Sequence, residues 1–517
     1  MSAPASDRSR LTAVIVVDDA EADYLSTSDS VAPAADEVIL LNMTGERLAG
    51  GSARRVPEVV ACPADDPSSA RNEALGRARG EWILFLEAGE TLRIESAAAI
   101  REWLSDNPAP ETALLCWLEY PASAPDASGE QLAAVRMLPK RAGLRFTGRV
   151  RETVLPSIEA LELPMEIRDW RIDAPSPTND ALRAVRNAKR QLRLASLDAQ
   201  QFGMSPRGLT ASAEAHTALG DRDRAMQHYY QALRLADRGS LEMLIAYYGL
   251  LGLFRGDESD RRQQLAVCLE ALETFPFDAQ LLCAMGAYLQ QQDHLELACR
   301  SFQAAFEIGQ VEPRAPHLRD LPALGALSWS LILQLRGDHD RAWQVLEQAW
   351  QRFPHARSLA RRRLELLVQL GRDHEALHAA ASAAEPGTPL EPLRIGIRGA
   401  CLAAQGNWIP ALGYLRTAHE SGCRDPICLR WLTVGLLALG QADAARPILM
   451  AWREASPSDV EARRYEQELA KLASSVATQR KPKGRTTRVD ASSSPVEAPL
   501  NMSAMPVGQS APTSPGV

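Results

Sequence analysis

Leu282-Cys283-Ala284-Met285-Gly286-Ala287-Tyr288-Leu289, followed after a polar turn by Ala298-Cys299-Arg300-Ser301-Phe302-Gln303-Ala304-Ala305, organises the second half of the chain. In both segments apolar side chains return every three or four residues, the spacing that lines one face of a helix. Gly286 and Ala298 are small enough to let two helices approach closely. Leu282, Met285, Leu289 and Phe302 are large enough to fill the groove between them. The unit is a helical pair.

The pair repeats. The alanine that anchors its second helix recurs at Ala342, Ala376, Ala411 and Ala445, at intervals of 34, 35 and 34 residues. A period of about 34 residues, with small and large residues in these positions, is that of the tetratricopeptide (TPR) repeat. Ala225, with Leu209, Tyr229 and Ala232, extends the series toward the N-terminus, and Pro276, Pro354 and Pro457 fall where a unit closes. Gly220-Asp221, Gly337-Asp338, Gly371-Arg372, Gly406-Asn407 and Gly440-Gln441 mark the bend inside the pairs. Gln264 stands at the anchor position of a degenerate unit. The 44-residue interval from Ala298 to Ala342 leaves about ten extra residues, placed at 311–322. Stacked helical repeats expose a concave face suited to a protein or peptide, so a partner in that groove is expected.

Composition fits folded domains, with 46% apolar and 24% charged residues, and 517 residues exceed a single core. A formal net charge of -8 argues against a nucleic-acid partner, which needs a concentrated basic surface. The eight cysteines form no Cys-x-x-Cys pair, which speaks for a reducing compartment and against a zinc site. The apolar run Leu11–Val17 is cut by Asp18 and Asp19, too soon for a secretory segment. No run approaches the ~18 to 20 apolar residues of a membrane span. A cytoplasmic protein without a membrane span is expected.

The front half reads differently. Residues 12–17, 37–41 and 82–86 are short aliphatic runs that read as buried strands. Residues 68–79 carry a helical pattern ending at Gly80, where a left-handed capping residue is expected. This strand, helix, strand alternation predicts a parallel sheet with its functional edge at the strand C-termini. Three motifs lie on that frame: Ala70-Arg71-Asn72-Glu73-Ala74-Leu75, Gly80-Glu81-Trp82-Ile83-Leu84-Phe85-Leu86-Glu87-Ala88-Gly89-Glu90, and Arg145-Phe146-Thr147-Gly148-Arg149-Val150-Arg151-Glu152.

Taken in order, these motifs resemble family 2 glycosyltransferases, most of all the bacterial subgroup in which such a domain precedes tetratricopeptide repeats. The resemblance covers roughly residues 11–158 and implies an α/β GT-A-like, nucleotide-diphospho-sugar transferase fold. It also implies that acids at the strand ends hold a nucleotide sugar and a Mg2+ or Mn2+ ion, which neutralises the diphosphate leaving group. Matched residue by residue, the nucleotide-sugar positions are Asp18, Asn42, Arg71, Asn72 and Glu87, and Glu90 or Glu152 is the candidate base. The chain departs from the pattern where Asp-x-Asp followed by Glu becomes Glu87-Ala88-Gly89-Glu90, where the histidine before Glu152 becomes Arg151, and where the nucleotide Asp becomes Asn42. Gly89 has no ligand to offer and an arginine has no lone pair for a cation, so no metal cofactor is expected.

Two functions follow. The first is a scaffold, in which a degenerate sugar-nucleotide-type domain, a pseudoenzyme, is attached to a partner-recruiting repeat array. The second is an active, metal-independent inverting glycosyltransferase in which Arg151, with Arg71 or Arg149, replaces the cation. It would act on a protein or cell-surface glycan presented by the repeats.

The expected organisation is a disordered segment at 1–10, the glycosyltransferase-like domain at 11–170, a connector helix at 171–208, the repeats at 209–472 and a disordered tail at 473–517. The connector carries Arg183, Arg186, Lys189, Arg190 and Arg193 among apolar residues, an amphipathic helix whose basic face is expected to lie in solvent.

Overall fold

The computed structural model describes residues 10–479 apart from 20, 49–57, 107–110, 122–128, 176–180, 255–259, 355, 385–386 and 458. The N-terminal segment up to residue 9 and the tail from Arg480 onward lie outside the described residues. The chain forms two compact units, the first ending at Pro322 and the second beginning at Ala323.

The first unit opens with β1 (Leu11–Val17), α1 (Tyr24–Val31), β2 (Glu37–Asn42), β3 (Glu58–Ala61), α2 (Pro67–Arg77) and β4 (Trp82–Glu87). These four strands lie parallel in the order β3-β2-β1-β4. β1 is buried along its whole length, as befits a strand covered on both faces. Alternate side chains enter two cores. Leu11, Ala13, Ile15 and Val17 join Leu84, Leu86 and Val31 of α1, whereas Val14 and Val16 join Ile83, Phe85 and Ala70 and Ala74 of α2.

Beyond β4 come β5 (Thr91–Leu92), α3 (Ile94–Asp106), β6 (Ala113–Glu119), β7 (Glu130–Pro139), α4 (Leu155–Ala160) and β8 (Met165–Asp173). Here the parallel expectation fails. β7 runs antiparallel to both β4 and β6, and β5 antiparallel to β8, so the sheet is mixed. The interval from Glu119 to Glu130 is shorter than the dozen or so residues a parallel crossover needs, and the chain returns on itself. Gly80 is also explained differently, since it is not left-handed. A Cβ there would lie 2.6 Å from the Thr12 amide nitrogen, and the Gly80 amide donates to the Thr12 hydroxyl at 2.9 Å.

α5 (Ala181–Phe202) follows, then α6 (Pro206–Ala218), α7 (Arg222–Leu235), α8 (Leu241–Gly252), α9 (Arg261–Thr274), α10 (Ala279–Gln291) and α11 (Leu295–Glu307). β8 continues to Asp173, past the expected domain edge at 170, because Trp170 and Ile172 remain buried on the sheet. α6 begins at Pro206 with Ser205 as its cap, ahead of the boundary at 209. The Ser205 hydroxyl accepts from the Gly208 amide. Ala225 and Ala298 are 0% exposed, and a Cβ on Gly286 would lie 2.8 Å from Phe302, so the helix pairs close on small residues as the spacing predicts. The extra residues at 311–322 return to the sheet. β9 (His317–Leu318) pairs antiparallel with β7, and the Ala133 amide donates to the Pro313 carbonyl at 2.6 Å.

The second unit contains α12 (Leu321–Leu335), α13 (His339–Arg352), α14 (Arg357–Gln369), α15 (Asp373–Ala383), α16 (Leu390–Ala404), α17 (Trp408–Glu420), α18 (Pro426–Ala438), α19 (Ala442–Ala455) and α20 (Val460–Gln479). The anchors Ala342, Ala376, Ala411 and Ala445 are each 0% exposed. Trp343 and Trp350 flank the Arg363 guanidinium at 5.6 and 5.0 Å, an inter-helix packing role. α20 runs beyond the expected end of the array at 472, since Ala462, Tyr465 and Leu469 form a buried stripe and no glycine or proline interrupts the chain before Pro482. No helix among the described residues is long and apolar enough to cross a membrane.

Candidate functional site

The registers Val17 with Asn42 and Val16 with Glu87 bring the C-termini of β2, β1 and β4 to one edge of the sheet. The strand order turns there, since β1 has β2 on one side and β4 on the other, the position at which open α/β sheets form a crevice. Around it Arg71, Glu87, Glu90 and Glu152, all expected from the sequence, come together with Arg136, which was not.

Arg71 sits at the centre. α2 carries it to the sheet, where it is 7% exposed, with its guanidinium 5.6 Å from the Phe85 ring and 5.5 Å from the Phe146 ring. It donates to Glu152 at 2.7 Å and forms a second ion pair with Glu87. Arg136 of β7 donates to Glu90 at 2.6 Å and stands 3.8 Å from Glu87. The second Glu90 oxygen accepts the Glu87 amide at 2.8 Å. An arginine between Val135 and Met137 in an otherwise aliphatic run was the available signal, because a buried arginine requires a buried acid.

The other expected residues are engaged elsewhere. Asn42 donates to the Glu46 carbonyl at 2.7 Å and accepts from the Thr44 amide and hydroxyl, so its amide is spent on its own turn. Asn72 exchanges hydrogen bonds with the backbone of Phe146 at 2.9 and 2.7 Å, a structural clamp. Arg151 forms no ion pair with the strand-end acids among the described residues, although Tyr120 lies within electrostatic reach of both Arg151 and the Arg136–Glu90 pair. Arg151 adopts φ +48° and forms an ion pair with Glu214 of α6, beside a cleft of about 410 Å³ lined by Thr147, Asp198, Arg207 and Glu242.

Gly89 has φ +96°, which side-chain-bearing residues rarely adopt, and its amide donates to Thr27 at 2.9 Å. The turn itself therefore disfavours an aspartate at that position. Glu87 and Glu152 each commit an oxygen to Arg71, and Glu90 commits one to Arg136. Among the described residues no three His, Cys, Asp or Glu groups converge as ligands. With these oxygens held by guanidinium groups, the donor set as arranged does not fit a divalent ion.

The connector helix corrects a further expectation. Its basic face lies along the acidic strand ends, with Arg183 and Arg190 half-buried there and Arg186 and Arg193 paired but still exposed. Arg183 pairs with Asp19 at 2.7 Å and Arg193 with Asp65 at 2.6 Å, while Arg190 pairs with Asp18 and Arg186 with Glu21.

Burial alone would raise the Glu87 carboxyl, but Arg71 and Arg136 outweigh it and hold the group below its ordinary value of 4.5. Burial wins at Glu90, where the Glu87 charge adds to it, and the carboxyl is pushed up despite Arg136. Asp18 is likewise raised by burial, against the pull of Arg190. A carboxyl lowered by folding stabilises the fold above its ordinary value and loses that contribution as pH falls through the lowered one. Glu87→Gln should therefore cost stability at neutral pH and flatten the loss below pH 4.5, measured by urea unfolding across pH. A variant curve parallel to the parent's would contradict this.

No protein-family model matches the chain. A TPR repeat-containing protein of Synechococcus elongatus is 35% identical over 115 residues, which are 22% of this chain and 27% of that protein. The match thus spans about a quarter of the curated relative. Among solved structures, a tetratricopeptide repeat protein from Parabacteroides merdae aligns with 50% of this chain and 98% of its own at 15% identity and a TM-score of 0.30. PilF of Pseudomonas aeruginosa aligns with 51% of this chain and 97% of its own at 14% identity, again with a TM-score of 0.30. The repeats are identified by their own period, buried anchors and local likeness to the Synechococcus protein.

Proposed function

We propose that the chain is a binding scaffold: its repeat array recruits a protein or peptide partner, and its α/β domain is a glycosyltransferase-like fold whose strand-end site has been neutralised from within. A cytoplasmic location belongs to the same reading. The observation that carries it is that Glu87, the acid retained from the metal motif, is held by Arg71 and Arg136, while α5 arginines pair with Asp18 and Asp19 nearby. The glycosyltransferase-like character rests on the three sequence motifs, and the order β3-β2-β1-β4 with acids at the C-termini supports it. The arginine-based transferase requires Arg151 at the strand ends, and its pairing with Glu214 weighs against that role.

The test is thermal stability of the purified protein with UDP-, GDP- and TDP-sugars, with and without Mn2+. A ligand at about 100 times its Kd stabilises by about 2.7 kcal/mol, so binding would be visible. The scaffold reading expects no shift. A shift with one donor regardless of metal would replace it with the transferase.

A further inference from the structure

Arg183, Arg186, Arg190 and Arg193 recur at helical spacing and so share one face of α5. Their partners Asp19, Glu21, Asp18 and Asp65 come from the loops that follow β1 and β3. The two halves of α5 are held by different forces. The C-terminal half is anchored by Leu194 and Ala195, which pack on Val150 and Ala211, and by Asp198, which accepts the Arg149 amide at 2.8 Å. In the N-terminal half Ala188 alone is buried, and Leu182 is 73% exposed.

We infer that the strand-end edge is a docking surface for an arginine-bearing helical face, filled in cis by the N-terminal half of α5, and that the filling is reversible. The pairs of Arg186 and Arg193 are exposed and those of Arg183 and Arg190 half-buried. Such pairs contribute little each and weaken as salt screens them, whereas the apolar anchor beyond Arg193 does not. The half that lets go is therefore the arginine half. Lifting it strips Asp18, Asp19, Glu21 and Asp65 of their guanidinium partners, of which only Asp19 is well covered while the helix is in place, and Arg71 and Arg136 keep the deeper acids neutralised. The uncovered surface is acidic and matches guanidinium groups repeated every three or four residues. A basic helical segment of a partner, with that spacing, is the ligand it fits. The inference stands apart from the scaffold reading, because an active site could be strapped in the same way.

Amide hydrogen exchange on the full chain tests it, first at about 0.1 M salt and then at about 1 M, which shortens the screening length from about 10 Å to about 3 Å. Exchange over residues 181–193 should quicken by about tenfold or more while residues 194–202 keep their protection. The pair Asp18→Asn and Asp19→Asn should produce the same change at low salt. In the variant R183Q/R190Q, a labelled synthetic peptide with the sequence of residues 181–202 should bind in trans at low salt. A peptide whose four arginines are glutamines should not bind. Exchange that ignores salt, or no binding to a variant that melts like the parent, overturns the inference and leaves the scaffold reading untouched.

Discussion

Arg71→Met is expected to destabilise the first unit by about 3–5 kcal/mol, the cost of leaving buried charges without their partner. Arg71 is 7% exposed and is the group that lets Glu87 and Glu152 approach one another. Without it Glu152 loses its ion pair and Glu87 keeps only Arg136, 3.8 Å away, in a site lined by Phe85 and Phe146. Trp82, Trp103 and Trp170, in edge contact at 5.1 and 5.6 Å, would report the unfolding by fluorescence during a denaturant titration. Adding Glu87→Gln and Glu152→Gln to the same variant should restore most of the loss, since it removes the charges that the methionine strands. A loss under about 1 kcal/mol would place Arg71 among surface ion pairs and refute this account of the site.

Trp452→Ala should be as costly to the second unit, by about 3–5 kcal/mol, because it opens a cavity under α20. Trp452 is 1% exposed, lies 6.3 Å from the Tyr465 ring and donates its indole N–H to Asp459 at 3.0 Å. α20 should consequently lose amide protection before α14 to α18 do, and the melting temperature read by circular dichroism should fall. Unchanged protection of α20 would mean that the array ends before Val460.

The repeats were legible because their signal is local. An alanine that must touch a neighbouring helix every 34 or 35 residues leaves its mark whatever surrounds the array, and all of these anchors are fully buried. The boundaries were less legible. Ser205 displaces the expected start because capping chemistry, rather than apolar content, begins a helix. Gly80 was correctly singled out for a reason that does not apply, since the requirement is the approach of β1 and not a left-handed turn. Arg151, singled out for the strand-end site, pairs with Glu214 of α6, a partner that no local signal names.

By itself the sequence determined the period of the helical pairs and the three buried parallel strands, because each is carried by the local spacing of apolar and small residues. Only the tertiary structure decided the charge pairing. Arg71 meets Glu152 across 81 residues and Arg190 meets Asp18 across 172, and no property of either residue alone names its partner. The topology that carries β1, β2 and β4 to one edge, and α5 across it, turns a set of acids into a neutralised surface. A buried charge is tolerated only when its counter-charge is within reach, and reach is a property of the fold.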